Sequence, residues 1–333
     1  DVVEASEDDV TEVVEVSEGE AVKLGLGAIT SIAKSKDADG EDTLATGQVD
    51  TIIVAATFDN EDKVVGVTID TAQTKVNFDE DLKVTNDKAE EIKTKVELED
   101  AYGMGKVSSI GKEWFEQIAE LENWMVGKTI AEIKAMNVKE VDAAHPAVPD
   151  VPELTSSVTI SVQDYIAGLE KAFNSAIKVE GAETLGLGHV VLIAKSKDYS
   201  VNADGEETLP VAQVDTVMTA TAFDKDGKVA GTLIDTAQTK IEFDAEGKVT
   251  TDKAGEFKTK VELGDAYGMG KVSSIGKEWF EQIAELENWM IGKTVDEIKA
   301  MNTEDGIADL TSSVTMSVKD YISVVEEAFS NAK

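Results

Sequence analysis

The sequence predicts an α+β fold built twice, each copy a twisted antiparallel sheet packed by helices. Three observations carry that reading. The chain repeats itself at a period of about 160 residues, too long for a solenoid unit and right for a duplicated domain. Within each copy, β-branched alternating runs come first and helical apolar stripes follow. Hairpin-type turns separate the alternating runs. Strands followed by helices, rather than alternating with them, favour an antiparallel sheet.

The repeat is anchored by short identical segments. "LGLG" at Leu24 returns at Leu185, "IAKSKD" at Ile32 returns at Ile193, and "IDTAQTK" at Ile69 returns at Ile234. The 26 residues from Asp100 to Met125 recur unchanged at Asp265 to Met290. Domain one is therefore expected over 22–177 and domain two over 178–333, with residues 1–21 as an acidic tether. Nine of the first twenty residues are acidic and none is Lys, which suits a solvated segment. The chain opens on Asp rather than Met, which suggests an upstream leader. The linker is expected near Asn174 to Thr184. Domain two gains four residues at Tyr199 to Asn202 and loses nine ahead of its "LTSSVT".

In domain one, "QVDTIIVAATFD", "KVVGVTIDTA" and "TKVNFD" read as strands, with "NEDK" at Asn60 as a hairpin turn. Trp114, Ile118, Leu121 and Met125 form a stripe at helical spacing, so "KEWFEQIAELENWM" is a helix and Trp114 and its copy Trp279 belong to a core. Thr129 with Glu132 spells a capping box, repeated by Thr294 with Glu297. The last helix, "SVQDYIAGLEKAF", shares Val162, Tyr165, Ile166, Leu169 and Phe173 on one face, with Ser161 as its cap and Asp164 three residues on. Between these helices, "DAAHPAVPDVPE" reads as an extended polyproline-like loop.

Composition removes several function classes. The net charge is −36 and every Lys or Arg position is Lys, so phosphate backbones and anionic lipid surfaces are repelled and no nucleic-acid partner is expected. Cysteine is absent, which removes disulfides, thiolate metal sites and cysteine nucleophiles. "DADGED" at Asp37 and "NADGEE" at Asn202 lack the ligand register of a calcium loop and read as turns; no metal site is expected. His145 and His189 are not equivalent in the repeat, so neither founds an active site common to both copies.

One junction carries more hydroxyls than a cap requires. Thr155, Ser156, Ser157 and Thr159 precede the last helix of domain one, and Thr311, Ser312, Ser313 and Thr315 precede that of domain two. A helix N-terminus offers free N–H groups and the positive end of the dipole, which suits a phosphate or another anion near Thr159 and Thr315. An N-cap with spare hydroxyls is the plainer alternative.

The segments Glu153–Thr159 and Asp309–Thr315 resemble the flavin-attachment motif of FMN-binding domains, whose final Thr is joined to FMN through a phosphoester; Ser stands where that motif has Gly, and Val where it has Ala. A second likeness lies in the loop Asp100, Tyr102, Gly103, Met104, Gly105, followed by Trp114, Gln117, Trp124 and Gly127. Its copy is Asp265, Tyr267, Gly268, Met269, Gly270, followed by Trp279, Gln282, Trp289 and Gly292. The whole chain is similar to the tandem FMN-binding surface lipoproteins of Gram-positive extracellular electron transfer.

The resemblance implies two covalent FMN groups on Thr159 and Thr315, with Ser156, Ser157, Ser312 and Ser313 donating to phosphate. It implies that the Tyr-Gly-Met-Gly loops lie at the isoalloxazine, with Trp124 and Trp289 as pocket walls. It also implies an electron carrier rather than a dedicated enzyme, lipid-anchored on the extracellular surface. Its partners would be a flavin transferase, a quinone-linked membrane donor and extracellular acceptors such as ferric iron. The nine-residue difference ahead of the second junction would give the two flavins unequal potentials. The alternative, from another class, is a non-redox surface protein that binds a small ligand or a partner.

Overall fold

A computed structural model describes residues 19–301, 310 and 312–333. Residues 1–18 of the expected tether lie outside the described residues, and Ala21 opens the first strand. The first sheet contains β1 (Ala21–Ser31), β2 (Thr46–Phe58) and β3 (Val64–Asn77), antiparallel throughout. The helices α1 (Lys95–Leu98), α2 (Trp114–Met125), α3 (Ile130–Lys134) and α4 (Gln163–Asn174) follow. Between α3 and α4 lies a short ribbon of β4 (Val138–Lys139) and β5 (Val148–Pro149).

The remaining chain runs β6 (Ile177–Ala182), β7 (Thr184–Leu192), a small ribbon of β8 (Ser200–Val201) and β9 (Glu207–Thr208), β10 (Val211–Phe223) and β11 (Val229–Glu242). It continues through α5 (Lys260–Leu263), α6 (Trp279–Met290), α7 (Val295–Lys299) and α8 (Lys319–Ser330). The fold class is α+β, as the periodicity implies.

Three local expectations are corrected. The runs "KVVGVTIDTA" and "TKVNFD" are one continuous strand, β3, because no breaker separates them and it pairs with β2 from end to end, apart from a bulge at Val65. The proline-rich loop folds back as the β4–β5 ribbon around a turn in which the His145 N–H donates to the Asp142 carbonyl, rather than running extended. The expected linker holds strand β6, which pairs with β1 and completes a sheet ordered β3-β2-β1-β6.

The second sheet, β11-β10-β7, stacks on the first. Helices cover the outer faces, α4 on β1 and β2, α8 on β7 and β10. The "LGLG" repeat follows directly from this layering. Leu24, Leu26, Leu185 and Leu187 point between the sheets, among the small Ala28, Ala55, Ala220 and Ala222 that let the sheets close. The intervening glycines face the helices. A Cβ on Gly25 would stand 1.9 Å from the Ala172 carbonyl oxygen of α4, and one on Gly186 would stand 1.9 Å from that of Ala328 in α8.

The contact between copies is reciprocal. The carboxylate of Asp37 accepts from the Val249 N–H at 2.9 Å, and that of Asp198 accepts from the Val84 N–H at 2.9 Å. Both aspartates close the "IAKSKD" repeat. The equivalent Phe78 and Phe243 meet edge-to-face with centroids 5.1 Å apart. Equivalent residues meeting each other are the mark of a two-fold contact, here within one chain.

Candidate functional site

The first turn of α2 gathers what the sequence separates. Glu113 caps it, accepting from the Glu116 N–H while the Glu116 carboxylate accepts from the Glu113 N–H at 2.7 Å. Trp114 is fully buried, and its Nε1–H donates to the Tyr165 hydroxyl of α4 at 3.0 Å. Gln117 has no exposed surface. Its Nε2 donates to the Ser108 hydroxyl at 3.2 Å and the Lys112 carbonyl at 3.1 Å. Its Oε1 accepts from the Thr159 N–H at 2.8 Å and the Thr159 hydroxyl at 3.1 Å. One carboxamide thus joins the segment after the Tyr-Gly-Met-Gly loop to the hydroxyl junction. Gln282 does the same with Ser273, Lys277 and Thr315.

The Tyr-Gly-Met-Gly loop reaches the same turn. Gly103 and Gly268 adopt φ of +78° and +79°, left-handed backbone that glycine takes without strain. Tyr102 and Met104 pack on the core of the first copy, Tyr267 and Met269 on that of the second, while Asp100 and Asp265 are exposed. A Cβ on Gly105 would lie 2.7 Å from Glu113 Oε1, and Gly270 stands in the same relation to Glu278. The other carboxylate oxygens, Glu113 Oε2 and Glu278 Oε2, are buried without a hydrogen-bond partner.

The sequence missed a cation here. The Lys95 ammonium lies 4.9 Å from the Tyr102 ring centre and 5.1 Å from that of Trp114, and Lys260 lies 5.1 Å from both Tyr267 and Trp279. Burial pushes the Lys95 pKa down to about 8, against the opposing pull of the Asp50 charge, and lowers that of Lys260. Among the described residues neither forms an ion pair. A Lys in "KTKVEL" reads as solvated charge. Gln117 was more legible, a polar residue placed on the stripe of Trp114, Ile118 and Leu121.

Other expected residues fall elsewhere. Ser161 is not the cap of α4: Val162 holds that position in helical backbone with no side-chain cap bond, and Ser161 Oγ instead accepts from the Ala147 N–H at 3.2 Å. Thr159 stands four residues ahead of Gln163, so it sits before the helix end rather than on it. The hydroxyls of Thr155 and Ser157 donate back to the carbonyls of Val151 and Leu154, and Ser313 to that of Leu310. Ser156 and Ser312 are exposed; Thr311 lies outside the described residues. Trp124 is ten residues along α2 from Trp114, roughly 15 Å at helical rise. There it packs beneath the Lys128 ammonium, 4.4 Å away, as Trp289 does beneath Lys293. Neither tryptophan joins the cluster.

The searches match the chain to no family model, no curated protein and no solved structure. Among the described residues no group of acidic and histidine side chains forms a metal centre, and no helix is long and apolar enough to cross a membrane.

Proposed function

We propose that each copy carries one FMN through a phosphoester on Thr159 or Thr315, and that the chain is an extracellular electron carrier. The observation behind this is the Gln117 clamp and its duplicate. It joins the segment that resembles the flavin-attachment motif to the loop-and-helix segment that carries the second likeness, although the two are more than forty residues apart in the first copy. Thr315 is exposed and Thr159 partly so, and both stand on backbone pinned by a buried carboxamide, so each threonine is within reach of solvent on a fixed backbone.

When bound, FMN supplies the electron chemistry. The protein's own groups do the rest. An ester at Thr159 Oγ1 would have no proton to donate to Gln117 Oε1, so that hydrogen bond would be lost. The Thr159 N–H still donates and holds the backbone. Lys95 supplies a buried positive charge at the same helix turn, and Gly103 lets the Tyr-Gly-Met-Gly loop bend there. In this reading a quinone-linked membrane donor feeds the chain, ferric iron or other extracellular cations drain it, and the −36 net charge draws the latter in.

Intact mass tests the reading. Protein co-produced with a flavin transferase should exceed its sequence mass by two FMN adducts, and a Thr159→Ala, Thr315→Ala variant should return to it. An unchanged mass in the parent protein rejects covalent flavin.

A non-redox surface binding protein is the second reading. It is favoured by the hydroxyls of Thr159 and Thr315, each already satisfied by a glutamine. The cavity in the next subsection belongs to either reading.

A further inference from the structure

The reciprocal docking creates two equivalent cavities between the copies. One, of about 520 Å³, lies among Asp70, Phe115, Glu122, His189 and Glu327. The other, of about 430 Å³, lies among Lys171, Asp235, Phe280 and Glu287, with Ala28 in its wall. Both are within the range of small-molecule sites. The repeat sets Asp70 against Asp235, Phe115 against Phe280 and Glu122 against Glu287. It also sets His189 against Ala28 and Glu327 against Lys171.

The substitution at residue 28 changes the charge balance. In the larger cavity the chain supplies its own cations. The His189 imidazole lies 3.1 Å from Asp70 Oδ2, and the Lys333 ammonium is 3.9 Å from Glu122 Oε2. In the smaller cavity, Ala28 leaves the imidazole position empty. The Asp235 carboxylate there accepts from the Thr236 N–H at 2.7 Å and the Val261 N–H at 3.1 Å, and Glu287 accepts from the Ile234 N–H at 2.6 Å. Among the described residues no ammonium or imidazole pairs with either carboxylate. The nearby cation, Lys171, is taken by Glu262 at 2.5 Å. Leu26, Met218, Phe280 and Ile283 form the apolar part of the wall, and Asn174, Ser175 and Thr259 add uncharged polar groups.

We propose that the cavity at Asp235 and Glu287 binds a small organic ammonium or imidazolium ion with an apolar body. The ligand's cation takes the place that His189 fills in the sister cavity, and its body lies against Met218 and Phe280. This does not depend on the flavin reading.

The protonation chemistry agrees. Burial pushes Glu287 up to about 8 and Asp235 up to about 6, and each carries a further like-charge contribution, Asp235 on Glu287 and Glu262 on Asp235. Lacking a counter-ion, Glu287 holds its proton at neutral pH, while Asp235 loses its own only as pH passes about 6. An arriving cation favours their ionised forms, so binding releases protons and strengthens as pH rises toward 8. Asp235 on β11, Glu287 on α6, Glu262 on α5 and Lys171 on α4 are the charged groups facing the site.

Calorimetric titration with phenethylamine tests the proposal, with uncharged 2-phenylethanol as the matched control. The amine should bind one per chain, with 2-phenylethanol weaker by about tenfold or more. Ala28→His installs the sister cavity's cation and should abolish amine binding. Ala284→Phe fills the space from the α6 wall without altering charge and should abolish it too. His189→Ala should open a second amine site. Equal affinity for amine and alcohol, or amine binding that survives both cavity-filling variants, overturns the proposal.

Discussion

The Gln117 carboxamide oxygen receives both the N–H and the hydroxyl of Thr159, at 2.8 and 3.1 Å, while its nitrogen is held by Ser108 and Lys112. Because Gln117 is fully buried, its replacement by an apolar residue of similar size strands several partners at once. Gln117→Leu should destabilise the protein by about 2–3 kcal/mol, the cost of leaving buried polar groups unsatisfied. Urea denaturation measures it. A loss below half a kilocalorie would show that the hydroxyl junction stands without the clamp.

Gly25 sets the distance between β1 and α4. With the Ala172 carbonyl oxygen where a Cβ would have to sit, Gly25→Ala must push the helix outward and open the core beneath it. The expected cost is about 2 kcal/mol or more. Gly40, with φ of +78° and open space around it, is the control, since alanine there meets only local backbone strain. Equal effects at the two glycines in a denaturation series would remove close helix approach as the reason for "LGLG".

These two cases mark what the sequence could convey. Helices α2 and α4 and the Thr129 cap were legible because their signals are local, a stripe at 3.6 spacing and a capping box. The two-sided burial of β2 was written in "IIVAATF", but nothing local says that its second cover is the other copy. "LGLG" stood out as a repeat, yet its purpose depends on a helix that arrives about 150 residues later. Lys95 hid in a charged run because burial beneath Tyr102 and Trp114 is decided by the loop between them. Ser161 looked like a cap and was claimed by Ala147, a competitor from a ribbon the prolines concealed.

Lys95 and Lys260 carry buried charge compensated by ring faces and by the more distant Asp50 and Asp215, without a direct ion pair. Removing it should favour folding, so Lys95→Met should stabilise the protein by about 1 kcal/mol. The ammonium also lies over Trp114, so its loss of a proton should change tryptophan fluorescence with a midpoint near about 8. That step should vanish in a Lys95→Met, Lys260→Met variant. Its survival there would assign the change to other groups.

Stability should fall as pH rises from about 5 to about 9. Burial pushes Glu122 up to about 7 and Glu287 up to about 8, so the folded state holds these protons more tightly than the unfolded chain. Their contribution is complete below the unfolded carboxyl pKa of about 4.3 and is lost as pH climbs through the raised values. His189 acts in the same direction at higher pH. Burial opposes its charge, but Asp70 and Glu327 prevail and raise it to about 9, so its contribution fades between about 6.5 and 9. Lys95, lowered to about 8, opposes the trend only as pH rises beyond that value. Urea midpoints measured across this range should therefore decline. Glu122→Gln with Glu287→Gln should flatten the acidic half of the curve, and His189→Gln the alkaline half. Stability that rises steadily from pH 5 to 8 would mean that these carboxyls are ionised in the folded protein, with water or cations reaching them in the cavities between the copies.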